Sequence, residues 1–393
     1  MIKIPRSEFS ERINKLKEYM TKHDLDAMFV YGDEYRKENL RYVSNFWPIF
    51  EKGALLLRID EEPILLCAPE GEQVAREMTA WDDVRLLPDF NCVTVPDVIE
   101  FPLANFTSFK EIADEFRSKG KLKRLGIIGM DAMSESLMLT LRETFDCEIV
   151  DANFMIFEMR LIKSENEIDC MREASRIAEK GYKAMMEADI IGKSERYAAG
   201  IAEGVARQEG AEHIIFTVFG SGDRSAKIIG RPENKIIEDG DMLMCTIAVQ
   251  YEGYVASYGI PYAVGDYSDE TRRVIDVLIG ANAAGYPYLK AGVPMKDFVK
   301  AVRDYYRKEG LAEYDLYPPL HGAGCAEAES PYPNEMTEAV FEAGMCVNTD
   351  ISLFGLAGGS NRVEEGFVIT EEGAESFCPY LRKHFEDWVK AEK

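Results

Sequence analysis

No run of apolar residues in this 393-residue chain approaches the roughly 18 that a membrane-spanning helix needs, so no membrane partner is expected. Positive charge is scarce. Against 70 Asp and Glu there are 46 Lys and Arg, a formal charge of −24, and no basic stripe of the kind that binds phosphate backbones, which excludes nucleic acid as a partner. The cysteines at 67, 92, 147, 170, 245, 325, 346 and 378 form no CxxC pair. Most lie in apolar stretches such as ILLCAP and MLMCTI and read as reduced core thiols. No phosphate-cradling glycine loop follows a strand pattern in the first half, which weakens a nucleotide-binding reading. The opening MIKIPRSEFSERINKL is charged and becomes helical at once, unlike a secretory leader, so a cytoplasmic location is expected.

The length exceeds that of a single core, and two domains are expected, at 1–158 and 159–393. The first alternates short apolar strand patterns (DAMFVYG, GALLLRI, PILLCAP, VRLLP, RLGIIGM, EIVDA) with helical stretches around 7–23, 70–79, 108–119 and 133–144, which predicts an α/β layer. Ser164 followed by Glu167 is a capping box that starts a long helix near 165 and opens the second domain. There the order is a helix near 195–209, a strand near 213–219, a hairpin over 242–264, helices near 269–286 and 295–309, and three further strands. Helices outside a curved antiparallel sheet are predicted.

Those three strands carry His321, Asp350 and Glu364. An acid in VNTDISLF is costly to bury without a partner, and Arg362 precedes Glu364 by two residues, so both face one side of a strand. The bland reading is a structural Arg–carboxylate pair. On the hairpin, Thr246, Ser257 and Tyr258 offer hydroxyls for a substrate, although without a base beside them the first two are poor nucleophiles. Arg224, with Lys227 and Arg231, is a candidate clamp for a substrate carboxylate.

In order and spacing, GD at 240–241, YEGY at 251–254, HGAG at 321–324, GM at 344–345 and RVEEGFVITEEGAE at 362–375 resemble the creatinase, aminopeptidase P and prolidase superfamily. The resemblance implies a creatinase-like α/β N-terminal domain and a C-terminal pita-bread domain of the α+β class. It places His321, Asp350 and Glu364 at metal-ligand positions, and Thr246 and Ser257 where the family has metal-bridging aspartates. Ile229 and Ala328 fall where it has histidines, and Gly259 where creatinase has a guanidinium-binding glutamate. From NLRYVSNF it further implies a homodimer in which Trp47 reaches the partner's site.

The reading adopted is a creatinase-like hydrolase of a C–N bond in a small polar substrate, with no cofactor: His321 shuttles the proton, and Asp350 and Glu364 hold a cation or activate water. Two alternatives stay open. One is an Xaa-Pro peptidase-like hydrolase with a single divalent ion on His321, Asp350 and Glu364. The other is a non-catalytic, peptidase-like binding module.

Overall fold

The structure, a computed structural model, describes residues 2–91 and 105–391. Cys92 lies outside the described residues. The chain divides into two compact units, Ile4–Arg160 and a second from Leu161 onward.

The N-terminal unit is built on a six-stranded mixed sheet. In spatial order its strands are Asp83–Leu86, Ile64–Cys67, Lys52–Arg58, Ala27–Asp33, Arg124–Ile128 and Glu148–Asp151. Ala27–Asp33 pairs antiparallel with Lys52–Arg58 and parallel with Arg124–Ile128. These strands are buried almost throughout, which is why their sequences read as continuous apolar runs rather than alternating ones. Helix Phe109–Ser118 starts at a capping box of Ser108 and Glu111 and turns Phe109, Ile112, Ala113 and Phe116 into the core beside Phe29, Leu56 and Leu125. Two helices without a sequence signal complete the unit, Glu38–Ser44 and Asn153–Leu161. They are tied by the Tyr42 hydroxyl donating to Met159 O at 3.1 Å and by Arg160 donating to Asn39 Oδ1 at 2.6 Å.

In the second unit, helix Glu165–Met186 begins at the Ser164–Glu167 capping box and buries Ile168, Met171, Ala174, Ile177, Ala178 and Met185. Two four-stranded sheets follow. In the first, Met242–Tyr251 pairs with His213–Ser221, Tyr254–Tyr258 and Tyr262–Ala263. The second runs Leu320–Gly322, Cys346–Leu353, Asn361–Ile369, Ala374–Ser376, antiparallel throughout. All the residues of Cys346–Leu353 and Asn361–Ile369 are buried.

One bridge joins the sheets. Gly259 N donates to Glu364 O at 3.1 Å, and Glu364 N donates to Gly259 O at 3.0 Å. A Cβ at Gly259 would lie 3.0 Å from Cys245 O, 3.1 Å from Thr246 Oγ1 and 3.3 Å from Glu364 Cγ, so a larger residue would have to spread the strands by a few tenths of an ångström. Helices Asp269–Gly285 and Met295–Glu309 belong to this unit, as does the closing helix Pro379–Ala391, which had no prior expectation. Its Arg382 pairs with the fully buried Glu365, which also accepts from Ser376 Oγ at 2.6 Å.

In the N-terminal unit, Glu51 is buried and accepts from Gly71 N at 3.0 Å. Burial outweighs that hydrogen bond and pushes its carboxyl from the ordinary 4.5 up to about 7, with Glu70 adding repulsion. The folded state therefore holds this proton more tightly than the unfolded chain. Its contribution to stability is complete below the ordinary value and is lost as pH rises through about 7. Melting temperatures measured from pH 4 to 8 should show that decline, and Glu51→Gln should flatten it. An unchanged slope in the variant would contradict the assignment.

Candidate active site

His321, Asp350 and Glu364 line one cavity of about 520 Å³ in the second unit. Strand pairing brings them together: Asp350 lies opposite Glu364, and His321 opposite Asn348. Phe216, Val218, Ile229, Pro318, Leu320 and Ala328 give the cavity an apolar wall, with Tyr317 and Tyr332 beside them.

His321 Nδ1 lies 2.9 Å from the carbonyl oxygen of Gly322. A carbonyl oxygen only accepts, so Nδ1 carries a proton and Nε2 is the nitrogen turned to the cavity. Nε2 faces Glu327 Oε1 at 3.7 Å. Glu364 Oε1 accepts from Arg362 Nη1 at 3.3 Å, and Oε2 accepts from Asn348 Nδ2. Arg362 Nη1 also lies 3.7 Å from Asp350 Oδ2, Nη2 donates to Ile228 O, and the guanidinium sits 5.6 Å from the Tyr317 ring and 5.3 Å from that of Phe354. Asp350 Oδ1 is buried with no hydrogen-bond partner.

Burial raises the Glu364 pKa well above the ordinary carboxylate range, the charge of Asp350 pushes it further, and Arg362 opposes both. Asp350 is likewise raised by burial, against the pull of Arg362 and His321. Asp350 and Glu364 thus share the Arg362 guanidinium, two buried acids on one buried base, a balance that a cation would restore.

Among the described residues, His321, Glu327 and Glu364 present one ligand atom each, all within 4.8 Å of one another. Two ligands of one ion lie at most about 4 Å apart at bonds of roughly 2.1 Å, so small side-chain rotations close the set. A single divalent ion fits these residues. For a second, Thr246 and Ser257, where the resemblance implies bridging aspartates, offer no carboxylate. Thr246 Oγ1 is buried without a partner, and Ser257 Oγ donates to Glu327 Oε1 at 2.9 Å.

The other candidates are dispersed. Tyr258 faces away from the cavity, as strand alternation from Ser257 requires; its hydroxyl donates to Glu179 at 3.3 Å and its ring packs against Tyr182. Arg224 is held by the fully buried Glu195 at 3.0 Å and by Glu233 at 2.8 Å, so it is no substrate clamp. It fastens the loop that brings Ile229 and Arg231 to the cavity wall. Trp47 stands in the N-terminal unit with Lys37 Nζ 4.0 Å over its ring, outside the cavity lining. Arg362 does line the cavity, while Thr246 and Ser257 are buried and not part of its lining.

Glu327 escaped the sequence reading. Its signal was an additional acid beside Ala328, six residues after the histidine.

Residues 169–371 match metallopeptidase family M24, and residues 12–162 match the creatinase/prolidase N-terminal domain. The chain belongs to the M24 family. This is a family of hydrolases, and its two-domain fold is the one described above. An Xaa-Pro dipeptidase of Pyrococcus furiosus is 26% identical over 367 residues, covering 93% of this chain and 96% of its own. The prolidase of Pyrococcus horikoshii superposes with a TM-score of 0.79 at 24% identity, over 94% of this chain and 98% of its own. An X-Pro aminopeptidase of Thermotoga maritima gives 0.80 at 22%, over 93% and 96%. At these identities the two solved structures speak for the fold.

Family membership corrects the cofactor expectation. A metal-free site was expected from the lost aspartates, but the family is one of metallopeptidases and the cavity floor gathers an imidazole and two carboxylates. The set also differs from the one expected, with Glu327 in the place given to Asp350.

Removing Arg362 should expose how much the floor depends on it. Breaking a buried ion pair by deleting one partner costs about 3–5 kcal/mol. Arg362→Leu should therefore lose about 3 kcal/mol or more in urea unfolding of the metal-free protein, and a loss below about 1 kcal/mol would contradict this charge balance.

Proposed function

We propose that this protein is an Xaa-Pro peptidase-like hydrolase that works with one divalent ion. The observation that carries the reading is the convergence of His321 Nε2, Glu327 and Glu364 in a family of metallopeptidases. The relatives named as Xaa-Pro dipeptidases favour a peptide amide over the small polar substrate of a creatinase.

The three ligand groups would hold the ion, which when bound supplies Lewis-acid polarisation of an amide carbonyl and a lowered pKa for water. The protein's own residues do the rest. Arg362 and Asn348 fix both oxygens of Glu364, and the Gly322 carbonyl fixes the His321 tautomer. Asp350, with its unpartnered Oδ1, is placed to accept a hydrogen bond from the substrate's amino group. The apolar wall excludes water from the bond being cut, and the cavity volume lies within the ~300–1,000 Å³ of small-ligand sites. Water adds at the carbonyl carbon, the C–N bond breaks, and a water proton passes to the departing nitrogen.

Elemental analysis of purified protein should find about one divalent ion per chain. Chelation should abolish cleavage of an Xaa-Pro dipeptide, and His321→Ala should lower its rate about 100-fold or more. Two ions per chain, or full turnover in chelator, would overturn the reading.

The homodimer belongs to the same proposal, as does the cytoplasmic location. Within the stretch Phe46–Phe50, Phe46 and Pro48 are buried, but Ile49 and Phe50 are 54% and 74% exposed, a costly pair to leave in water. Light scattering should give twice the mass of one chain at micromolar concentration, and Phe50→Asp should lower it. A single-chain mass for the unaltered protein would remove the dimer.

A further inference from the structure

We propose that Glu327 performs, from the loop after His321, the ligand role for which position 257 has no carboxylate, and that Ser257 is the positioning residue that aims it. The inference rests on the single-ion reading above.

The loop is pinned on both sides of Glu327. Gly322 N donates to Pro331 O at 2.8 Å, and Glu329 N donates to Gly322 O at 2.9 Å, closing its base. Val255 N donates to Gly324 O at 2.8 Å, which docks the loop on the hairpin strand Tyr254–Tyr258. Beneath it, Lys163 Nζ pairs with Glu329 Oε1 at 2.8 Å, with both side chains nearly sealed from solvent. A Cβ at Gly324 would lie 2.5 Å from that Glu329 oxygen and 3.0 Å from Lys163 Cε, so the backbone passes directly over the ion pair and a larger residue would push the pair aside.

With the backbone held, the remaining freedom is the rotation of the Glu327 side chain. Ser257 Oγ removes it by donating to Oε1 at 2.9 Å, which leaves that oxygen 3.7 Å from His321 Nε2. Ser257 is buried on the strand that leads into the Gly259–Glu364 seam, so one short segment registers Glu364 through its backbone and Glu327 through a hydroxyl. A donor to a ligand carboxylate orients it, and its loss costs about 10–100-fold in metal affinity.

The test is calorimetric titration of metal-stripped protein with Mn²⁺ alone, accompanied by melting curves of the metal-free variants. Relative to the unaltered chain, Glu327→Ala should weaken binding about 100-fold and Ser257→Ala about 10-fold, while Ser257→Thr, which keeps the hydroxyl, stays within a few-fold. Moving the carboxylate back, in Ser257→Asp with Glu327→Ala, should recover most of the affinity lost by Glu327→Ala. A purely structural serine would not produce that recovery. Tight binding by Glu327→Ala or by Ser257→Ala, or no recovery in the exchanged variant, would overturn the inference while leaving the single-ion reading in place. Failure of the unaltered protein to bind Mn²⁺ would overturn both.

Discussion

An excess of buried negative charge governs the second unit. Asp350 and Glu364 are buried together against the Arg362 guanidinium, and the partly exposed Glu327 lines the same cavity. Such a group of acids is tolerable only if each is neutralised, hydrogen-bonded or coordinated. Asn348, Ser257 and Arg362 each take up part of that demand, and Asp350 Oδ1 shows where it stays unmet. The raised pKa values of Asp350 and Glu364 record the same imbalance. In the proposed reading a divalent ion would relieve it through the ligand groups already gathered there.

The surroundings exist to keep this arrangement in register. The Gly259–Glu364 bridge ties one sheet to the other at the site itself, so the hairpin and the acid strand cannot slip independently. Arg362 is packed near the rings of Tyr317 and Phe354, which hold a planar cation better than they would an ammonium. Farther out, Glu195 anchors Arg224, and through that loop the wall containing Ile229. Charges that looked available for substrate are thereby spent on positioning.

At four positions where the family resemblance implies charged or imidazole side chains, the chain carries neutral or apolar ones. Thr246 and Ser257 stand where it implies metal-bridging aspartates, and Ile229 and Ala328 where it implies histidines. The first pair offers an ion no carboxylate. The second turns the cavity wall apolar, which strengthens electrostatic interactions at the floor but leaves His321 as the lining imidazole among the described residues. In the proposed reading the compensation is local: a carboxylate returns from the loop after the histidine.

Much of the architecture was readable because its causes are local. Apolar runs marked the strands of the first sheet, Ser164 and Glu167 marked the start of the long helix, and the motifs at 321–324 and 362–375 placed His321 and Glu364 on strands of one sheet, either side of the strand that carries Asp350. The short helices Glu38–Ser44 and Asn153–Leu161 were missed because their mutual packing, not their periodicity, sustains them. Which way a side chain points within the fold was equally beyond the sequence. Tyr258 and Ser257 are neighbours in the chain, yet pleating sends one toward Glu179 and the other to Glu327. Arg224 read as a free cation until the fold supplied Glu195, 29 residues away. By itself the sequence determined the family frame, since that is a matter of residue types and spacing along the chain. Only the tertiary structure decided that Glu327 joins the site, because that depends on a loop pinned over Lys163 and on a hydroxyl from another strand.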